Sequence, residues 1–376
     1  MTTLDHLQSC KACNHEFRVP DKLLGKKVAC PFCRRLVEVT IPAGPTDPLV
    51  GQLLGGCRLV RRLGAGAIGV VYEAEQVSMH RRVAMKMLSS KSSANPMLVQ
   101  RFQREAKLSA QISHPHVVQV FDCGFERSVH FLTMELVDGT TLAGMVDENG
   151  PMPWQQASAL MLQVARAVDH VAGQNIVHRD IKPANILVSS QGQAKLADLG
   201  LAKQTDADEG GDQALTMQGA VLGSPAYMSP EQIRNSREAS HVADLYSLGA
   251  TFYHLLAGVP PFDGRTATEV MTKVLREPPA PLRTLVPMVP HAIAGFVHRT
   301  LAKAPKERPQ TAAEFVEELK QAVTAPDRVV ATPTPRGGVP VQGANARDAA
   351  RSPLVTILIV LVIAAVLAAM YFAFAT

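Results

Sequence analysis

The first forty residues lack any continuous apolar run, which excludes an export signal at this end and leaves the cytoplasm as the expected compartment. Cysteine is scarce and unevenly placed: six residues, four of them in two close pairs, Cys10/Cys13 and Cys30/Cys33, with Cys57 and Cys123 alone. That distribution fits a metal site better than a disulfide framework. An excess of one charge sign is also missing, because 38 Lys and Arg are interspersed with 33 Asp and Glu for a formal charge of +5. A general nucleic-acid surface is therefore not implied. No internal repeat occurs, so domain limits have to come from breaks in composition.

What is present is ample apolar material, 47% of 376 residues, enough for a substantial core. Residues 1–42 hold the paired cysteines, and Pro-rich 43–53 reads as a linker. From 54 to 323 apolar periodicity is sustained, strand-like at first and mostly helical after Asn95. Strands first and helices later predict an α+β fold with two lobes. Residues 324–352 lose periodicity and gain Pro, Ala and Gly, the composition of a disordered tether. Within 353–375, the stretch from Leu354 to Ala375 contains no charge and would measure about 33 Å as a helix, against a hydrocarbon core of about 30 Å. Arg347 and Arg351 precede it, which predicts a C-terminal single-pass anchor in the cell membrane with the preceding protein in the cytoplasm.

Several stretches carry residues of the kinds that can approach or neutralise phosphate. LGAGAIGVVYEAE places Gly64, Gly66 and Gly69 where a backbone could approach phosphate oxygens without a Cβ in the way. β-Formers on both sides favour a glycine-rich turn between two strands, a pattern that alone also describes an ordinary hairpin. In RRVAMKMLS, Lys86 interrupts an apolar strand; Leu98, Phe102, Glu105, Ser109 and Ile112 share one helical face, which brings Glu105 towards the core. Pairing of the two charges is the simplest account, with a snorkelling lysine and a solvated glutamate as the other reading.

In VHRDIKPANILV, Asp180 can accept a hydroxyl proton, Lys182 can neutralise a phosphoryl group in transfer, and Asn185 offers a neutral oxygen to a metal ion. Asp198 in LADLGLA adds an anionic oxygen for the same metal. Phosphoryl transfer asks a protein for positioning and charge neutralisation, and these residues offer both.

The ordered series of Gly-rich loop, Val83-Ala84-Met85-Lys86, Glu105, His178-Arg179-Asp180, Asn185, Asp198-Leu199-Gly200 and Ser229-Pro230-Glu231 resembles the eukaryotic-like serine/threonine protein kinases of bacteria. The resemblance implies a small β-rich lobe and a helical lobe around an ATP site. Leu63, Gly64, Ala65, Gly66, Ala67, Ile68, Gly69, Val70 and Val71 would cover the phosphates, and Lys86, steadied by Glu105, would hold them. Asp180 would be the base, with Asn185 and Asp198 on Mg²⁺ or Mn²⁺. Met134 would be the gatekeeper, and Glu135 and Val137 would meet adenine between Val70, Ala84 and Leu187. Asp244 and the Arg308–Glu231 pair would be structural.

Lys182 followed by Pro183, and Ser224 before Tyr227, resemble the serine/threonine branch. Thr216, with Thr205 the weaker candidate, would be autophosphorylated, and Arg179 would receive the phosphate. Protein substrates are thus the expected partners, with a second copy of the chain for autophosphorylation. Leu199 for Phe, Ser229 for Ala, Ser224 for Thr and Met85 for Ile depart from the family pattern without removing a phosphate, metal or proton group.

Cys10, Cys13, Cys30 and Cys33 have the spacing of a closed tetrahedral zinc site, with His15 as an alternative ligand and a redox dithiol as the alternative chemistry. The module resembles short zinc ribbons ahead of some bacterial kinase domains. The rival readings of the whole chain are an ATP-binding scaffold with little turnover and a zinc-dependent nucleic-acid binder.

Overall fold

The computed structural model describes residues 5–10, 13, 16–20, 27–38, 47–66, 69–199 and 225–326. The tip of the glycine loop, Gly200, Thr205, Thr216, Ser224, His15, nearly all of the Pro-rich tether and the apolar run from Leu354 lie outside them. Among the described residues no helix is long and apolar enough to cross a membrane.

The N-terminal module consists of two hairpin sheets, β1 (Asp5–Ser9) with β2 (Glu16–Pro20) and β3 (Lys27–Ala29) with β4 (Leu36–Glu38). The first lobe of the main region is a six-stranded antiparallel sheet and the helices laid on it. Its elements in chain order are β5 (Leu53–Leu54), β6 (Cys57–Ala65), β7 (Gly69–Gln76), β8 (Arg81–Leu88), α1 (Ser90–Ser93), α2 (Pro96–Ala110), β9 (Val120–Glu126) and β10 (Val129–Glu135). Spatial order is β5-β6-β7-β8-β10-β9. Strand β8 is buried on both faces, as its nearly unbroken apolar run requires. Val83, Met85 and Met87 join Leu59, Tyr72 and Phe131 in one cluster, while Leu88 packs with Phe102 and Ala106 of α2 in another. Lys86 shares the α2 face by the two-residue period of a strand. Helix α2 begins where Asn95 caps it, accepting from the Met97 and Leu98 N–H groups, with Pro96 in the first turn.

Helix predominates after Asn95, as expected, but strands β9 and β10 intervene. They form a hairpin whose two-residue loop, Arg127-Ser128, has φ of 50° and 63°. Positive φ at both positions is what a tight hairpin turn needs, and Asn-Gly or Asp-Gly would have signalled it; Arg-Ser does not.

The second lobe starts with β11 (Gly139–Thr141), α3 (Leu142–Asn149) and α4 (Trp154–Ala172), followed by β12 (Ile186–Ser189) and β13 (Ala194–Leu196). Beyond them come α5 (Pro230–Arg234), α6 (His241–Ala257), α7 (Ala267–Arg276), α8 (Leu282–Leu285), α9 (His291–Thr300) and α10 (Ala312–Thr324). Helix α6 is buried almost all round, so it reads as a hydrophobic run with no polar stripe. Against it pack α4 and α9, and the small β11-β12-β13 sheet presents the catalytic segment at the edge of this core.

Candidate active site

Each charged group of the site is placed by a local device. Strand β8 carries Lys86 inward, and its ammonium lies 2.7 Å from Asp198 Oδ1 and 3.9 Å from Glu105 Oε1 of α2. The expected pair is present, but Asp198 is the nearer partner. Burial alone would depress Lys86; the Asp198 and Glu105 carboxylates outweigh it and hold the ammonium above its ordinary value. Burial also raises Glu105, against the pull of Lys86 and with Asp198 and Asp180 adding to the rise. One ammonium therefore serves three carboxylates.

Asp198 sits just beyond β13 with φ of 53°, a left-handed conformation uncommon for a residue with a side chain. A short junction fixes its approach: the Leu196 N–H donates to His116 O at 2.8 Å, the Val118 N–H to Leu196 O at 2.9 Å, and His116 Nδ1 lies 2.9 Å from Ala194 O. His114 to Val118 therefore ties the first lobe to the segment that carries Asp198, a role that no spacing in the sequence announces.

The catalytic segment is built on a buried carboxylate. Asp244, in the first turn of α6, accepts the N–H groups of His178 at 2.7 Å and Arg179 at 2.8 Å. Burial pushes it up to about 6 even though both backbone donors favour its charged form. Arg179 takes φ of 66°, and its carbonyl accepts from Gln232 Nε2 at 2.8 Å. His178 Nε2 lies 3.2 Å from Ala197 O, and His178 Nδ1 accepts the Asp180 N–H at 3.3 Å, which assigns the ring its proton on Nε2. The segment is thus held from both sides before Asp180 is reached.

Asp180 Oδ2 accepts Lys182 Nζ at 2.9 Å and Asn185 Nδ2 at 2.9 Å; Nδ2 also donates to the Asp180 carbonyl at 2.8 Å. These bonds use the Asn185 amide nitrogen, which turns its carbonyl oxygen away as an acceptor for a cation. A carboxylate from Asp198 and a neutral oxygen from Asn185 form the hard donor set that suits Mg²⁺.

Leu63, Gly64 and Ala65 end β6, Gly66 follows it, and Gly69, Val70 and Val71 begin β7; Ala67 and Ile68 lie outside the described residues. The three glycines differ in kind. Among the described residues, a Cβ on Gly64 or Gly66 would meet no atom within 4 Å, whereas one on Gly69 would fall 1.9 Å from the Met87 carbonyl oxygen. Gly69 serves the sheet, and Gly64 and Gly66 leave space that a phosphate could enter. Ala84 is buried on β8, and Met134, next to last in β10, is partly buried against the α2 cluster. Leu187 and Val137 are half-buried on β12 and just after β10. The Glu135 N–H donates to Gln119 O at 2.8 Å, so any adenine contact by this backbone falls to its carbonyl; its carboxylate pairs with Lys195 at 2.9 Å. A narrow pocket behind Met134 is lined by Glu105, Leu132, Asp198 and Leu199. Leu199 is buried in the core of the second lobe, so it fills the apolar slot expected of it.

Residues 57–321 match the protein kinase domain family. The chain belongs to the protein kinase family. It is 35% identical over 317 residues to the serine/threonine-protein kinase PknA of Mycobacterium tuberculosis, covering 81% of this chain and 72% of PknA. It is 34% identical over 278 residues to PrkC of Bacillus subtilis, covering 74% of this chain but 42% of PrkC, so it spans less than half of that relative. The crystal structure of the M. tuberculosis PknI kinase domain superposes with a TM-score of 0.58 at 28% identity, over 73% of this chain and 98% of that domain.

Within this kinase fold, Ser229 has a use that counting it as a departure from Ala overlooked. Its hydroxyl accepts the Gln232 N–H at 3.3 Å, and Gln232 Oε1 accepts the Ser229 N–H at 3.4 Å, closing a capping box on α5. The same Gln232 reaches the Arg179 carbonyl. Ser-x-x-Gln ahead of a helix was the signal that could have found it. Arg308 is buried with both terminal nitrogens on Glu231, at 2.7 and 2.9 Å, and its Nε on the Ala302 carbonyl. Arg308 holds Glu231 below its ordinary value despite the raising effect of burial.

In the N-terminal module the sulfurs of Cys10, Cys13, Cys30 and Cys33 all lie within 4.8 Å of one another. Four thiols at that separation can surround one ion, with Cys10 and Cys30 buried and the other two half-buried.

Proposed function

We propose that the chain transfers the γ-phosphoryl group of ATP to serine and threonine hydroxyls of proteins. The observation that carries this is the Lys86 ammonium between Asp198 and Glu105, near enough to Asp180 for that charge to bear on it, with Asp180 itself bonded by Lys182 and Asn185. Asp180 takes the hydroxyl proton as the new O–P bond forms and the bond to ADP breaks. Lys182 neutralises charge beside it, and Lys86 holds the nucleotide phosphates. Asn185 and Asp198 would hold Mg²⁺ or Mn²⁺, which when bound would supply neutralisation of phosphate charge. Lys182 and Pro183 after the base favour serine and threonine over tyrosine.

The finer parts of the reading rest on the sequence. Thr216 is the autophosphorylation site, modified by a second copy of the chain. The four cysteines hold a structural Zn²⁺. The run from Leu354 anchors the protein in the cell membrane, with Arg347 and Arg351 keeping the kinase domain on the cytoplasmic side.

Incubating the full chain with γ-labelled ATP and Mg²⁺ tests the activity. Label is expected on Thr216 and on added protein, and both Asp180→Asn and Asp198→Asn are expected to abolish it. Label that persists in both variants would remove Asp180 and Asp198 from the chemistry; its absence from the unsubstituted chain would leave an ATP-binding scaffold.

A further inference from the structure

The loop between α8 and α9 carries an apolar tip that the core does not use. Met288, in the loop, is 84% exposed, and Leu285, which ends α8 at the loop's start, is 48% exposed. The loop is braced: Arg283 Nε donates to the Val289 carbonyl at 3.0 Å, Nη2 donates to the Pro287 carbonyl at 3.3 Å, and Nη1 contacts the His291 ring. Pro281, Pro287 and Pro290 restrict the backbone further. Two large apolar side chains are therefore held out in water on a stiff support.

Charge and connectivity point to what covers them. No Asp or Glu occurs between Glu277 and Glu307, a stretch that contains Arg283, His291 and Lys306. A tip within a sequence stretch whose only charged residues are basic suits an anionic lipid surface. The Pro326 carbonyl, at the end of the described chain, accepts the N–H of Ala292, one residue past His291. The chain thus leaves the kinase domain beside this loop, and the uncharged run from Leu354 follows 28 residues later. A chain segment of that length without regular structure spans about 30 Å.

We propose that the α8–α9 loop is a bilayer-contact surface, with Leu285 and Met288 entering the boundary between headgroups and acyl chains and Arg283 facing anionic headgroups. The proposal rests on the membrane-anchor reading above. Two side chains would not recruit a free domain, but a domain tethered nearby meets the surface at an effective concentration in the millimolar range. The contact would then orient the kinase domain on its membrane.

The natural chain has one tryptophan, Trp154, in the first turn of α4. The test introduces a second indole by Met288→Trp in the full chain, reconstituted into vesicles of phosphatidylcholine and phosphatidylglycerol with or without brominated acyl chains. Bromine is expected to quench the introduced indole about twofold and to leave the unsubstituted chain nearly unchanged. Carbonate extraction of the same vesicles reports integration independently. If the chain resists extraction and the new indole is not quenched, the loop proposal fails and the anchor reading stands; if carbonate removes the chain, both fail. A blue shift that grows with protein-to-lipid ratio without bromine quenching would assign the tip to a second copy of the chain and overturn the lipid assignment.

Discussion

Lys86 is bonded closely to Asp198 and more loosely to Glu105, and the difference between 2.7 and 3.9 Å ranks the substitutions. Glu105→Gln keeps the shape of the side chain and removes a charge that burial disfavours, leaving Lys86 its nearer partner. It should lower kcat/KM about 10- to 100-fold, or roughly 1.4 to 2.8 kcal/mol of transition-state stabilisation. Lys86→Met removes the cation itself and should cost about 10³-fold. Steady-state phosphorylation of a protein substrate measures both, and equal losses would make Glu105 as necessary as the cation. A second residue-scale outcome concerns Asp244, whose folded value is raised to about 6 from an ordinary 3.8. A raised carboxylate stabilises the fold most when protonated, so its contribution is lost as pH rises from about 4 through 6 and is level above that. Relative to Asp244→Asn, the unsubstituted kinase region should lose stability across that window in urea unfolding; a difference that does not change with pH would contradict the assignment. The identities of Lys86, Asp180, Asn185 and Asp198 were legible because chemistry restricts them to short motifs. The nearness of Asp198 to Lys86 was not, because the contact joins positions 112 residues apart.

At the scale of elements, the glycine loop separates packing from binding. Gly66→Ala places a methyl group in open space and should leave the melting temperature unchanged while raising KM for ATP. Gly69→Ala drives its methyl against the Met87 carbonyl and should destabilise the first lobe by about 1 to 3 kcal/mol. Thermal melts of the two variants check the contrast, and equal destabilisation would show that the loop glycines share one structural role. Ser229→Ala removes the α5 cap, an interaction worth about 0.5 to 2 kcal/mol, and loosens the segment through which Gln232 holds Arg179. Helix α2 could be read from its apolar period and Asn-Pro start. The β9–β10 hairpin was missed because Arg127-Ser128 carries no turn signal, and tertiary pairing imposes the positive φ that local propensity would avoid.

For the whole molecule, two free-energy sources are unlike in kind. The kinase region draws on a large apolar core around α6, whereas the described residues of the N-terminal module form four short strands and include few buried side chains, so a metal would have to supply much of its folding free energy. The cysteine spacing made this cluster legible, since two Cys-x-x-Cys turns are chemically specific. Purified full chain should contain about one zinc per molecule, following from one cluster of four sulfurs. Treatment with a strong chelator should release it, expose Cys10, Cys13, Cys30 and Cys33 to a thiol reagent, and remove hydrogen-exchange protection from β1 to β4. Protection of α6 should persist, because it packs chiefly against α4 and α9 of the second lobe. Thiols that react fully before chelation would show that no metal is held there, and loss of protection in α6 together with β1 to β4 would mean that the module and the kinase core fold as one unit.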